Sequence, residues 1–252
     1  MPGNEGFVVT PLCVGRIGVY KAELTYNVDF SVRLHAPVFV YALRKNGPSH
    51  ILVDAGFQPR LRNSSAQGGL TQFKRALKRA RIDENQIEIV ILTHLHSDHC
   101  SFLHLFKRAK VFLQAAELSH SHDPLPTQRF FYNDDTLKRL EKMDVEVLRG
   151  DKRIENGLRV IHTPGHTPGS QTVLAGTADG TFAICGDTVP MYHNWYPSNE
   201  KFGTPVALTR IPPGVHTSLE AWFESARRIE SLAETIIPSH DPKLHDRKPL
   251  PR

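Results

Sequence analysis

Cysteine is scarce in this chain of 252 residues: there are three, Cys13, Cys100 and Cys185, and none stands in a CxxC pair. A disulfide-stapled secreted scaffold is therefore excluded, and the usage suits a reducing compartment. Long apolar runs are missing as well. The longest stretch, Ala36 to Leu43, falls far short of the ~20 residues that cross a bilayer. The opening MPGNEGFVVT has no basic start followed by an apolar segment, so no signal peptide is expected. Charge of one sign is not in excess either. Lys and Arg number 31 against 26 Asp and Glu, a formal net charge of +5, without the concentrated basic stripe of a nucleic-acid binder. The late cluster Lys243 to Lys248 contains Asp246, adjoins prolines and reads as a solvated tail. These absences lead to the expectation of a soluble, cytoplasmic protein with no nucleic-acid or membrane partner. Hydrophobic residues make up 40%, enough for a proper core. No linker long enough to divide the chain is visible, so residues 1–252 read as one domain.

What the chain does have is histidine, 14 in all, unevenly placed. Strands are read at Val38–Leu43, Ile51–Val53, Ile87–Leu92, Lys110–Leu113, Leu158–His162, Gln171–Leu174, Thr181–Cys185 and Thr235–Ile237 from their β-branched and aromatic content. Gly47-Pro48 marks a turn and residues 63–69 a loop. Leu70, Phe73, Ala76 and Leu77 recur at helical spacing, and Asp135–Met143 also reads as helical. The stretch Ser119–Pro126 between them reads as an irregular excursion. A last helix is expected from Thr217, with Thr217 and Glu220 as a capping box and Leu219, Trp222, Phe223, Ala226 and Ile229 as its apolar face. Strands end at Asp54, His94, Asp187 and His240, and one ends just before His166. Polar residues at the same ends of several strands can meet on one rim of a sheet, where open α/β sheets place their sites.

The strongest signal is Thr93-His-Leu-His-Ser-Asp-His99. His94 and His96 are two apart and face the same way on extended chain; a turn beyond them brings in Asp98 and His99. Imidazole and carboxylate suit zinc and related divalent ions. Four donors in six residues exceed what one ion takes from so short a segment, which points to two ions. His94, His96 and His166 are expected to hold one, Asp98, His99 and His240 the other, with Asp187 bridging through its two oxygens. His166 sits in Thr163-Pro-Gly-His-Thr-Pro-Gly169, a sequence that makes a tight turn. Cys100 and Cys185 are read as packing residues. His104, His120, His122, His162, His216 and His245 carry no motif, and His193 is of interest only because it neighbours Tyr192 and Asp187.

These stations, with Asp54 in Leu52-Val-Asp-Ala-Gly56, make the chain resemble the metallo-β-lactamase superfamily over nearly its whole length. The resemblance implies an α/β fold, an αββα sandwich of two mixed β-sheets flanked by helices, with two divalent ions at one edge. Zinc is the ion expected; iron, manganese or cobalt are also compatible. It implies that Asp54 supports the site without binding metal. Aspartate at 187 disfavours antibiotic hydrolysis, and the short segment after His240 disfavours a thioesterase of the glyoxalase type. Ile211-Pro-Pro-Gly-Val-His216 and Ile237-Pro-Ser-His-Asp-Pro242 resemble the N-acyl homoserine lactonases. Membership there would imply a quorum-quenching hydrolase that opens the lactone ring through a hydroxide bridging the ions, with Asp98 passing a proton to the leaving group. The partner is then a small acyl lactone or related ester, and a homodimer is left open. Phe130-Phe-Tyr132 and Trp195-Tyr196 offer apolar walls for an acyl chain. One departure stands out. Where these lactonases carry a tyrosine that holds the substrate carbonyl, this chain has Pro190, so Tyr192 is expected to take that role. Thioesterase, cyclic-amide hydrolase and phosphodiesterase activity on the same site stay open, as does a binding protein that senses a ligand without turning it over.

Overall fold

A computed structural model describes residues 6–59, 66–197 and 210–244. Parts of two expected segments, residues 63–65 of the loop and 245–248 of the tail with His245, lie outside them.

Two mixed sheets face each other. The first holds six strands in the order β1 (Val8–Tyr20), β2 (Arg33–Arg44), β3 (His50–Val53), β4 (Ile87–Ile91), β5 (Lys110–Gln114) and β6 (Val145–Leu148). Its β1–β2 and β2–β3 pairs are antiparallel and the rest parallel. The second holds five, in the order β11 (Thr235–Ile237), β10 (Gly180–Ile184), β9 (Gln171–Thr177), β8 (Leu158–His162) and β7 (Lys152–Glu155). There β10 and β11 are parallel and the other pairs antiparallel.

Side-chain alternation explains the layering. Along β2, Val38, Val40 and Ala42 enter a core beneath the helix α2 (Leu70–Arg79), while Phe39, Tyr41 and Leu43 enter the core between the sheets. Both faces are covered, so the segment reads as an unbroken apolar run instead of alternating with polar residues. In the second sheet Val160, Val173 and Ile184 point to the inter-sheet core, and Ile161, Leu174 and Ala183 to the helix α7 (Leu219–Glu230). The result is the helix–sheet–sheet–helix sandwich that the resemblance implied.

Local readings are corrected at several points. The stretch Ser119–His122 is the end of the helix α4 (Ala115–His122), not an excursion; Glu117 and Ser121 form its buried side. It escaped detection because its inward residues are polar, so it has no apolar stripe. The helix α7 is capped by Ser218, whose hydroxyl accepts from Ala221 N–H at 3.2 Å, not by Thr217. Thr217 Oγ1 donates instead to the Gly165 carbonyl, so the strand-to-helix turn competes for it. Phe223 is 43% exposed, and Ser225 takes the inward place. Short elements also escaped: β6, β7 and the one-turn helices α1 (Lys21–Leu24) and α3 (Ser97–Cys100). The helix α5 spans Asp134–Leu140, stopping short of Met143, and α6 is a single turn at Tyr192–Trp195. No helix among the described residues is long and apolar enough to cross a membrane.

Candidate metal centre

Parallel pairing puts the ends of β3 and β4 side by side, and those of β10 and β11 likewise. The chain therefore delivers Asp54, His94, Asp187 and His240 to one edge of the sandwich. At Gly186 the backbone is left-handed, φ +51°, and a Cβ there would stand 2.6 Å from Thr93 Cβ. Only glycine lets the Asp187 turn approach the start of the histidine segment so closely.

Seven side chains converge in two groups. His94, His96, His166 and Asp187 offer donor atoms that all lie within 4.8 Å of one another, and so do Asp98, His99 and His240. Asp187 faces both groups. Its Oδ2 is 3.5 Å from His166 Nε2 and 4.0 Å from His94 Nε2. Its Oδ1 is 3.2 Å from His99 Nε2 and 3.1 Å from His240 Nε2, and also accepts from Ser239 Oγ at 2.6 Å. Asp98 Oδ2 stands 3.6 Å from both His99 Nε2 and His240 Nε2. The Nε2 atoms of His94, His96, His99 and His240 are buried without a hydrogen-bond partner. Such atoms are costly unless something satisfies them. Converging imidazole nitrogens and carboxylate oxygens fit divalent cations at both groups.

The electrostatics of the groups differ. Burial lowers the pKa of His94 and His96 far below the usual range and that of His166 less, keeping the imidazoles neutral as ligation requires. Burial also pulls His99 and His240 down, but Asp187 and Asp98 outweigh it and both end raised. Asp187 is the counterpart: burial pushes it up, yet His240 and His99 hold it well below the ordinary carboxylate range. A cation between these groups would take over the charge that protons on His99 and His240 otherwise supply.

Four of the rings are held from behind. His94 Nδ1 is 3.1 Å from Thr93 Oγ1. His99 Nδ1 is 2.7 Å from Asp54 Oδ2, and Asp54 Oδ1 accepts from Thr93 N–H at 2.8 Å. Asp54 thus stands behind the donors, where the resemblance put it. His240 Nδ1 pairs with the Pro37 carbonyl at 2.9 Å and His166 Nδ1 with that of Val215 at 2.7 Å. Val215 N–H in turn donates to the Glu23 carbonyl in α1. These backbone acceptors orient the ring so that Nε2 faces the centre.

A cavity of about 60 Å³ opens on the donors, walled by Ile17, Val19, Leu24, Phe131, Pro190 and Val215, with Glu23 at its edge. Of the aromatic walls expected for an acyl chain, only Phe131 lines it, its ring 4.8 Å from that of His96. Tyr132 is buried beneath His96, Trp195 packs in the core under α7, and Phe130 and Tyr196 are exposed. Tyr192 is not among the lining residues. It packs beside the inter-sheet core, and its N–H donates to Asp241 Oδ2 at 2.7 Å. The chain turns into α6 immediately after Met191, which carries this ring away from the cavity that Pro190 borders. Cys100 and Cys185 are buried, as read. His104, His120, His162 and His216 are engaged by Arg139, Gln128, the Pro168 carbonyl and the Pro213 carbonyl. One participant was missed: Glu117, wholly buried, whose carboxylate touches both histidine-bearing loops. Its position inside α4 gave no signal, because a lone Glu in a polar segment reads as solvated.

Residues 35–240 match the model of the metallo-beta-lactamase superfamily. The chain is 27% identical over 176 residues to a probable metallo-hydrolase of Methanocaldococcus jannaschii, the match covering 70% of this chain and 68% of that protein. It is 29% identical over 161 residues to an N-acyl homoserine lactonase of a Bacillus species, covering 57% of this chain and 60% of that protein. Among solved structures, an N-acyl homoserine lactone hydrolase with the product N-hexanoyl-L-homoserine at its catalytic metal centre superposes with a TM-score of 0.76 at 19% identity. That match covers 97% of this chain and 98% of the other.

Proposed function

We propose, for a chain that belongs to the metallo-beta-lactamase superfamily, that residues 1–252 form a dinuclear metal-dependent hydrolase that opens the lactone ring of N-acyl homoserine lactones or similar cyclic esters. The observation that carries the reading is the pair of donor groups meeting at Asp187, with the Nε2 atoms of His94, His99 and His240 buried there without a hydrogen-bond partner. His94, His96 and His166 would hold one ion, Asp98, His99 and His240 the other, and Asp187 would contact both. Two divalent ions, zinc being the first expected from the donors, would supply Lewis acidity and a water that ionises near neutral pH.

The chain's own residues do the rest. Asp98 is the one carboxylate of the seven that is only half-buried at the cavity, its side chain 17% exposed. That position lets it take a proton and return it to the leaving alkoxide. Ile17, Val19, Leu24, Phe131 and Val215 exclude water around the reacting carbonyl, which strengthens every charge interaction there. The reacting ring would stand where this cavity opens on the donors. An acyl chain would then lie along the apolar rim, gaining roughly 25 cal/mol per Å² buried. Pro190 has no N–H and no side-chain donor, and Tyr192 packs elsewhere, so the reading leaves the carbonyl oxygen to the ions. The relatives named lactonase support the substrate class.

The test is elemental analysis joined to a substrate panel. Purified protein should carry about two divalent ions per chain after reconstitution and hydrolyse acyl homoserine lactones faster than thioesters, cyclic amides or phosphodiesters. At most one ion would overturn the dinuclear site. Two ions with faster thioester or phosphodiester turnover would keep the site and discard the substrate.

A further inference from the structure

Resting on the reading of His94, His96 and His166 as one metal-holding half, we propose that Glu117 is the positioning carboxylate of that half. Glu117 lies in the first turn of α4 and has no exposed surface. A carboxylate taken out of water must be compensated by good hydrogen bonds, and each of its bonds ends at this half of the centre. Oε1 accepts from Leu95 N–H at 2.9 Å and from Tyr132 O–H at 3.1 Å. Oε2 accepts from Thr167 Oγ1 at 2.5 Å. Leu95 is the residue between His94 and His96, and Thr167 follows His166. Tyr132 packs its ring 5.0 Å from that of His96. One side chain therefore spans the gap between the two loops that carry the three imidazoles.

The backbone is shaped around this contact. A Cβ on Gly169 would overlap the backbone of Glu117, so the His166 turn can seat on α4 only because residue 169 has none. Glu117 does not line the cavity and takes no part in the reaction; it sets where the imidazoles stand. Asp54 braces the other half directly through His99 and reaches His94 only by way of Thr93 Oγ1, so a second buried carboxylate stands behind the centre.

Stepwise Co(II) titration, followed by visible absorption and elemental analysis, tests this on the full chain. His240→Ala identifies the binding step that belongs to Asp98, His99 and His240, because it removes one of that half's own donors. A wild-type protein without two steps removes the dinuclear reading, and this proposal with it, before any Glu117 variant is made. Given two steps, Glu117→Gln keeps an oxygen for Leu95 but replaces the charged acceptor of Thr167 Oγ1 with a neutral amide N–H, which can only donate to it, and Thr167→Val removes the same bond from the other side. Each should weaken the step that His240→Ala leaves in place by about tenfold. The double variant should lose no more than the larger single, since both delete one interaction. Glu117→Leu, which also strips Leu95 N–H of its acceptor, should weaken that step about 100-fold; if it fails to fold, the two milder variants carry the test. Unchanged affinity in Glu117→Gln and Thr167→Val, equal weakening of both steps, or additive losses in the double variant would each overturn the proposal.

Discussion

The two groups of donors meet at Asp187 but are braced by different means. In the group of Asp98, His99 and His240, the supports act on the rings themselves: Asp54 on His99 Nδ1 and the Pro37 carbonyl on His240 Nδ1. In the group of His94, His96 and His166, the Val215 carbonyl does this for His166 and Thr93 Oγ1 stands 3.1 Å from His94 Nδ1, while Glu117 works through the Leu95 backbone and the Thr167 hydroxyl. The braces of the first group come from the first sheet, Asp54 just after β3 and Pro37 within β2. The second depends on α4 and on the Val215 segment, both of which lie outside the sheets. The comparison teaches that a symmetric pair of donor sets can rest on unequal frameworks, one rigid by sheet pairing and one by a buried polar knot.

The sharpest break in that comparison is at the shared residue. Asp187→Ala should cost both halves their metal, leaving less than one ion per chain by elemental analysis, with lactone turnover down by at least about a hundredfold. Retention of one full ion would mean that Asp187 serves a single half. Asp54→Asn should act chiefly on the half it touches directly, lowering the affinity of the His99 step by roughly 10- to 100-fold and that of the His94 step, which it reaches only through Thr93, by less; equal weakening of both steps in the Co(II) titration would mean that the two halves share one framework. Gly169→Ala presses on the other framework. Its methyl forces the His166 turn off α4, for a loss of about 1–3 kcal/mol in chemical denaturation, and stability equal to wild type would show that the contact yields freely. Smaller effects belong to the walls. Phe131→Ala should raise KM for long-chain lactones roughly threefold to tenfold over the bare ring, by loss of buried apolar area. Equal KM changes for both substrates would place the acyl chain elsewhere. Least of all, Tyr192→Phe should leave turnover within about twofold, and a tenfold fall, about 1.4 kcal/mol, would return its hydroxyl to the reaction.

Most of the donor set was legible because metal ligation demands particular side chains at particular spacings. His94, His96, Asp98 and His99 announce themselves within one short segment, and Asp187 and His240 each close an apolar strand. The positions of strands buried on both faces were legible too, since β-branched residues mark strands even where alternation is lost. Tyr192 shows the opposite case. Five positions after Asp187 looked near in sequence, but the single turn of α6 carries it to the inter-sheet core. Trp195 likewise looked like a pocket wall and is packed against the second sheet.

Residue types and their order determined the donors, the fold family and the chemistry those donors suit, because ligand atoms and β-forming side chains are properties of single residues. Tertiary structure alone decided which carboxylates stand behind the rings, which aromatic reaches the cavity and how α4 joins the two histidine loops. Those are relations between segments far apart in the chain, such as Leu95, Glu117 and Thr167. A hydrogen bond across such a distance leaves no periodic trace; it exists only once packing has excluded water and brought its partners together.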